Sequence, residues 1–202
     1  MKKNVLFFLF SIVIATNCYS QSDIEYSKSG IAKLLSGNYQ GAMYDLTKAI
    51  EINPKNIAHY FNRGVLKNTI SDYQGAISDF NIAIKLNPKS AISYTKRGNS
   101  KVSLEDYRGG ISDFTRSLEI NSNDSEVYVF RGRVKAKLND LRGAILDFNK
   151  AIMINPKYSD AYLARGIVKN MLGEKNSGCL DLSKAGELGN TKAYEIIKEV
   201  CN

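Results

Sequence analysis

Few residues of this 202-residue chain have side chains that could do chemistry, and most of those recur at a fixed spacing. His59 is the only histidine. It stands alone, with no partner spaced for zinc or for a base–nucleophile pair, so it reads as a surface residue. The three cysteines are Cys18, Cys179 and Cys201, and none pairs at zinc spacing. The carboxylates are different. Asp45, Asp79, Asp113, Asp147 and Asp181 recur every 34 residues, in phase with Lys33, Lys67, Lys101, Lys135 and Lys169. Arg63, Arg97, Arg131 and Arg165 lie four residues before the last four lysines. A group that repeats five times in step with the chain serves its architecture, so these Asp residues are not an acid–base pair. The sequence indicates no catalytic residue, no metal site and no cofactor, and it has no glycine-rich phosphate cradle.

The elements that place these residues follow from the same step. Gly30, Gly64, Gly98, Gly132 and Gly166 keep it, as do Tyr26, Tyr60, Tyr94, Tyr128 and Tyr162. The units run 23–56, 57–90, 91–124, 125–158 and 159–192. In the second, Tyr60, Gly64, Ala76, Phe80 and Ala83 mark two helical stripes, predicting helices over roughly 57–70 and 74–86. Asp72, Asp106 and Asp140 fall between paired helices as N-caps. Asn53-Pro54, Asn87-Pro88 and Asn155-Pro156 close their units, with Asn expected in a left-handed C-cap and Pro stopping the helix. Asn121-Ser122 is a softer break.

Tyr60, Gly64, Ala76, Phe80, Ala83 and Pro88 resemble the tetratricopeptide repeat, offset by offset, and the resemblance covers residues 23–190. It implies an all-α, right-handed superhelical solenoid of five helix–turn–helix repeats, with a capping helix over 191–202. Terminal units are the least regular, with Leu46 and Leu182 in place of the aromatic. The family implies a noncatalytic protein–protein interaction scaffold or adaptor, not an enzyme. It also places a peptide groove on the first helix of each unit. The positions here are Phe61, Asn62, Val65, Asn68, Lys96, Asn99, Val129, Phe130, Arg133 and Lys137. The chaperone-binding carboxylate clamp of one subclass is not reproduced, because Phe61, Val65 and Phe130 stand where its Lys and Asn would be.

Two structural expectations accompany the repeat. Gly64 costs about 1 kcal/mol against Ala in a helix, and close approach of the second helix at Ala76 would offset it. Each Asp is expected to bridge the Lys of its own unit and the Arg of the next. Lys67–Asp79–Arg97 and Lys101–Asp113–Arg131 are rungs of that ladder, and the alternative is a solvated basic stripe.

The ends of the chain suggest export. Lys2 and Lys3 precede the apolar run 5–15 and the polar TNCYSQS, the layout of a signal peptide over residues 1–20. Cleavage after Ser20, lipid attachment at Cys18 and a retained anchor helix are the three readings. Under the second, the protein is a lipid-anchored envelope assembly factor, and only then does it touch a membrane. The expected location is periplasmic or secreted. In an oxidising compartment Cys179 and Cys201, each eleven residues from Asn190, would lie level on antiparallel helices and form a disulfide; two buried thiols are the alternative. The net charge is +8, or +6 without residues 1–20. Its even spread, without basic runs, points to solubility and not to nucleic acid.

Overall fold

The computed structural model describes residues 22–201, so the expectations for residues 1–20 and Cys18 lie outside it. Helix α1 covers 22–35. It is followed by α2 (Tyr39–Ile52), α3 (Ile57–Thr69), α4 (Tyr73–Leu86), α5 (Ala91–Ser103), α6 (Tyr107–Ile120), α7 (Ser125–Lys137), α8 (Leu141–Ile154), α9 (Ser159–Met171), α10 (Lys175–Glu187) and α11 (Lys192–Val200). The described residues are all-α, in consecutive helix pairs. They divide into two compact units, the first ending at Lys96 and the second beginning at Arg97, with the division inside α5.

Capping explains where the second helix of a pair starts in the first four pairs, whereas Glu174 before α10 makes no side-chain cap bond. Asp72, Asp106 and Asp140 accept the backbone N–H of Gly75, Gly109 and Gly143 at 2.9, 2.9 and 3.0 Å, each satisfying an orphan donor of the first turn. The turn before each cap needs a left-handed residue. Gly37 and Gly173 supply it at φ 80° and 81°, whereas Ser71, Glu105 and Asn139 are forced to φ 63–64°. The Asn residues at helix ends are therefore not left-handed, contrary to expectation. Asn53, Asn87 and Asn155 sit at φ −134°, −139° and −128°, in the extended backbone that suits a residue before proline. Asn121 adopts φ −132° before Ser122, so the break there is no softer.

In the first unit the core includes Ala42, Leu46 and Leu66. In the second, Phe114 packs with Leu118, Val127 and Val134, and Phe148 packs with Val129, Ala151 and Ala164. Phe80, Phe114 and Phe148 are almost wholly buried, each worth about 2–3 kcal/mol in area removed from water. The repeated glycine faces this ring. A Cβ on Gly64 would lie 2.8 Å from Phe80, and one on Gly132 would lie 2.6 Å from Phe148. The notch thus admits the aromatic of the second helix, not Ala76. Helix α11 closes the second unit by laying Ala193, Ile196, Ile197 and Val200 over Leu182 and Ala185 of α10.

Candidate functional site

The five repeated Asp side chains are buried, and each takes its cations from its own helix pair. Arg63 grips Asp79 through two parallel bonds, Nε to Oδ2 at 2.9 Å and Nη2 to Oδ1 at 2.8 Å, and Lys67 reaches Oδ2 at 2.8 Å. Arg97 with Lys101 on Asp113, Arg131 with Lys135 on Asp147, and Arg165 with Lys169 on Asp181 repeat this geometry. The ladder expected through Lys67–Asp79–Arg97 and Lys101–Asp113–Arg131 is therefore corrected: Arg97 serves Asp113, and Arg131 serves Asp147. The reason is the hairpin. Arg and Lys stand one turn apart on the first helix, and the antiparallel second helix brings Asp level with both.

The Arg still joins neighbouring pairs, but through its third nitrogen and a neutral acceptor. Nη1 of Arg63 reaches Thr47 at 3.4 Å, that of Arg131 reaches Thr115 at 3.0 Å, and that of Arg165 reaches Asn149 at 2.6 Å. A polar residue two positions after each Asp is the sequence signal for this link. In the first pair, which lacks the Arg, Ser29 and Lys33 hold Asp45 at 2.5 and 2.7 Å. Burial pushes the Asp45 carboxyl up, but these two bonds prevail and hold it below the usual range.

His59 is not on the surface. It is 1% exposed, with Nε2 2.8 Å from Asp23 Oδ2, which also accepts from Asn53 at 2.8 Å. Burial raises the Asp23 carboxyl, and the bonds from His59, Asn53 and Asn56 bring it below its ordinary value. His59 Nδ1 and Asp23 Oδ1 are buried without a protein partner. The couple ties α3 to the start of α1. Repetition could not reveal it, because neither residue recurs at its position.

The ten positions assigned to a groove are used in different ways. In the first unit Phe61 packs on Phe80 at 5.8 Å, Asn62 donates to Ser27 at 3.5 Å, and Val65, Asn68 and Lys96 are half-buried. In the second unit Asn99 is half-buried and Phe130 packs near Phe114 at 6.0 Å. Val129 is fully buried in the core, so it is removed from the groove; its place on α7 faces α8, not solvent. Arg133 and Lys137 are exposed and line one cavity together.

That cavity, of about 300 Å³, lies between α7 and α9, and Ala136, Leu163, Ala164, Ile167, Val168 and Met171 complete much of its wall. Arg133 donates to Asp160 at 3.2 Å on its rim. The Lys137 ammonium sits 4.6 Å from the Tyr107 ring centre, and its bond to Tyr107 raises its pKa, keeping it charged. A second cavity of about 500 Å³ adjoins through the shared Ile167 and Met171 and is walled by Asn170, Gly173, Lys175, Ile196 and Val200. Leu163, Ile167 and Met171 occupy in α9 the positions that Val129, Arg133 and Lys137 occupy in α7. Carrying the same offsets one repeat further would have found them.

The sulfurs of Cys179 and Cys201 stand at bonding distance, 2.00 Å, with Cα atoms 5.8 Å apart. This places the end of α11 against α10. Among the described residues no group of three His, Cys, Asp or Glu side chains could hold a metal ion.

Residues 125–158, which span α7 and α8, match the tetratricopeptide repeat family model. Among solved structures, the chain is similar to MamA, at 22% identity and a TM-score of 0.76, covering 87% of this chain and 96% of that one. It is similar to YrrB, described as a TPR protein with an unusual peptide-binding site, at 20% identity and a TM-score of 0.73 over 94% and 97% of the two chains. It is also similar to PilF of Pseudomonas aeruginosa, at 17% identity and a TM-score of 0.76 over 85% and 78%. No curated protein matches the sequence.

Proposed function

We propose that this chain, a tetratricopeptide-repeat protein by its matched repeat and its fold, is a noncatalytic scaffold or adaptor of the bacterial envelope. It binds a segment of another protein between α7, α9 and α11. The observation that carries the reading is the pair of adjoining cavities sharing Ile167 and Met171, an apolar trough left open beside a filled core. Met171 is 59% exposed and lines both cavities, so its apolar surface is available to an incoming segment. The structural likeness to a protein described as having a peptide-binding site supports the same class of role.

A photo-crosslinking residue at 171 tests the reading in living cells. A defined protein adduct that forms at 171 and disappears when Ile167 is changed to Asp is the expected result. Equal labelling from position 44, in the first unit, would show that the trough has no special role.

Export rests on the charged start and apolar run of residues 1–20, and it makes the Cys179–Cys201 pair a disulfide that clamps α11. Closing this loop stabilises the fold by roughly 3 kcal/mol. Mass mapping without reductant should recover the linked peptides, and two free thiols would refute the clamp. The second reading, a lipid-anchored assembly factor, is favoured by Cys18 lying directly behind the apolar run. An intact mass carrying a diacylglycerol adduct decides for it.

A further inference from the structure

The side chains that line the trough carry one sign of charge, and the single acid on its rim, Asp160, pairs with Arg133. Leu163, Ile167 and Met171 form its apolar floor, Arg133, Lys137 and Lys175 stand on its walls, and neither cavity is lined by an Asp or Glu. We propose, resting on the reading above that the trough takes a protein segment, that its occupant is an acidic peptide in extended conformation. Large apolar side chains alternate in it with Asp or Glu.

The register argues for the extended form. Leu163, Ile167 and Met171 are spaced four residues apart on α9, so they rise about 6 Å per step. In an extended chain every second side chain points the same way, about 6.8 Å apart. Apolar side chains on one edge of the peptide therefore meet successive turns of α9. The intervening residues point to the opposite edge, towards α7. Arg133 and Lys137 on α7 are themselves four apart, so acids at every second position meet both cations in the same register.

Two of the wall cations already have a contact, Arg133 with Asp160 and Lys137 with the Tyr107 ring. The chain's own apolar run at 5–15 is the wrong occupant by charge, since it follows Lys2 and Lys3 and contains no acid.

The test is fluorescence anisotropy of the full chain, purified as the cell leaves it, with three labelled peptides. In the first, Leu and Phe alternate with Glu; in the others Gln or Lys replaces every Glu. Vesicles of phosphatidylglycerol form a fourth arm. The Glu peptide should bind about tenfold more tightly than the Gln peptide, lose that advantage at high salt, and lose it in an Arg133→Gln, Lys137→Gln variant. The Lys peptide should be weaker still, and Met171→Asp should weaken all binding.

Equal affinity for the Glu and Gln peptides would overturn the acidic occupant while leaving the trough a peptide site. A Glu advantage that survives the double substitution would also overturn it, by placing the acids elsewhere. If no peptide binds but vesicles do, and Met171→Asp abolishes this, the occupant is a lipid surface and both readings fall. If nothing binds although the position-171 crosslink persists, the proposal alone fails.

Discussion

The buried charge clusters and the trough between α7, α9 and α11 are built from the same helices, yet they use repetition in opposite ways. At the position of Arg63 and at that of Lys67 the residue type holds through the second to fifth pairs, because each cluster meets the same hairpin geometry. At the half-buried to exposed position four residues before Lys137 and its counterparts the chain carries Val65, Asn99, Arg133 and Ile167 in turn. A side chain that packs inside a hairpin is constrained alike in every copy. One that faces outward is free to differ, and there a particular combination can serve a particular ligand. Sameness within this chain marks what holds the helices together, and difference marks what the surface offers.

The comparison can be broken at either end. Asp147→Ala leaves Arg131 and Lys135 facing one another in a half-buried site without their acid, and should destabilise the second unit by about 3 kcal/mol or more by chemical denaturation. Met171→Asp, at an exposed position of the same unit, should leave stability within about 0.5 kcal/mol.

A packing substitution sharpens the contrast more gently. Gly132→Ala adds a methyl group 2.6 Å from the Phe148 ring and should cost about 1–3 kcal/mol, although alanine is the better helix former. Glu105→Gly acts in the opposite direction. It relieves the left-handed backbone at φ 63° and should raise stability by about 1 kcal/mol, read as a higher denaturation midpoint.

The smallest effect is the response to acid. Asp23 and Asp45 both have carboxyls lowered by their partners, so in the folded state they bind fewer protons than in the unfolded chain. Their contribution is complete above the unfolded value of about 4 and fades as the pH falls through the lower folded values. The melting temperature should therefore decline below about pH 4, and Asp45→Asn should flatten part of that slope.

Much of the fold was legible because its signals are local. The Asp caps at 72, 106 and 140 and the proline stops act within a few residues of themselves, and the 34-residue step repeats them along the chain. What escaped depends on distances the step does not carry. The phase of Asp79 with Lys67 and Arg97 was visible, but phase alone did not say which Arg the hairpin brings level, and that was Arg63. Gly64 was visible as a notch, and only packing shows that the ring of Phe80 fills it. His59 and Asp23 lie 36 positions apart and occur once, so no pattern joined them. Arg133 and Lys137 were found on the trough, whereas Ile167 and Met171 were missed because the groove offsets were not carried into the last repeat. Val129 was assigned to the groove by offset, and the same offset in this pair turns into the core.

The central claim is that stability and recognition reside in separable sets of residues. It is tested most directly by measuring denaturation and anisotropy with the Glu-containing peptide on Asp147→Ala and Met171→Asp side by side. The account predicts that Met171→Asp retains the parent's stability and loses peptide binding. It also predicts that Asp147→Ala loses stability yet binds like the parent wherever it remains folded. A Met171→Asp protein that binds as well as the parent, or one that unfolds as readily as Asp147→Ala, would contradict it.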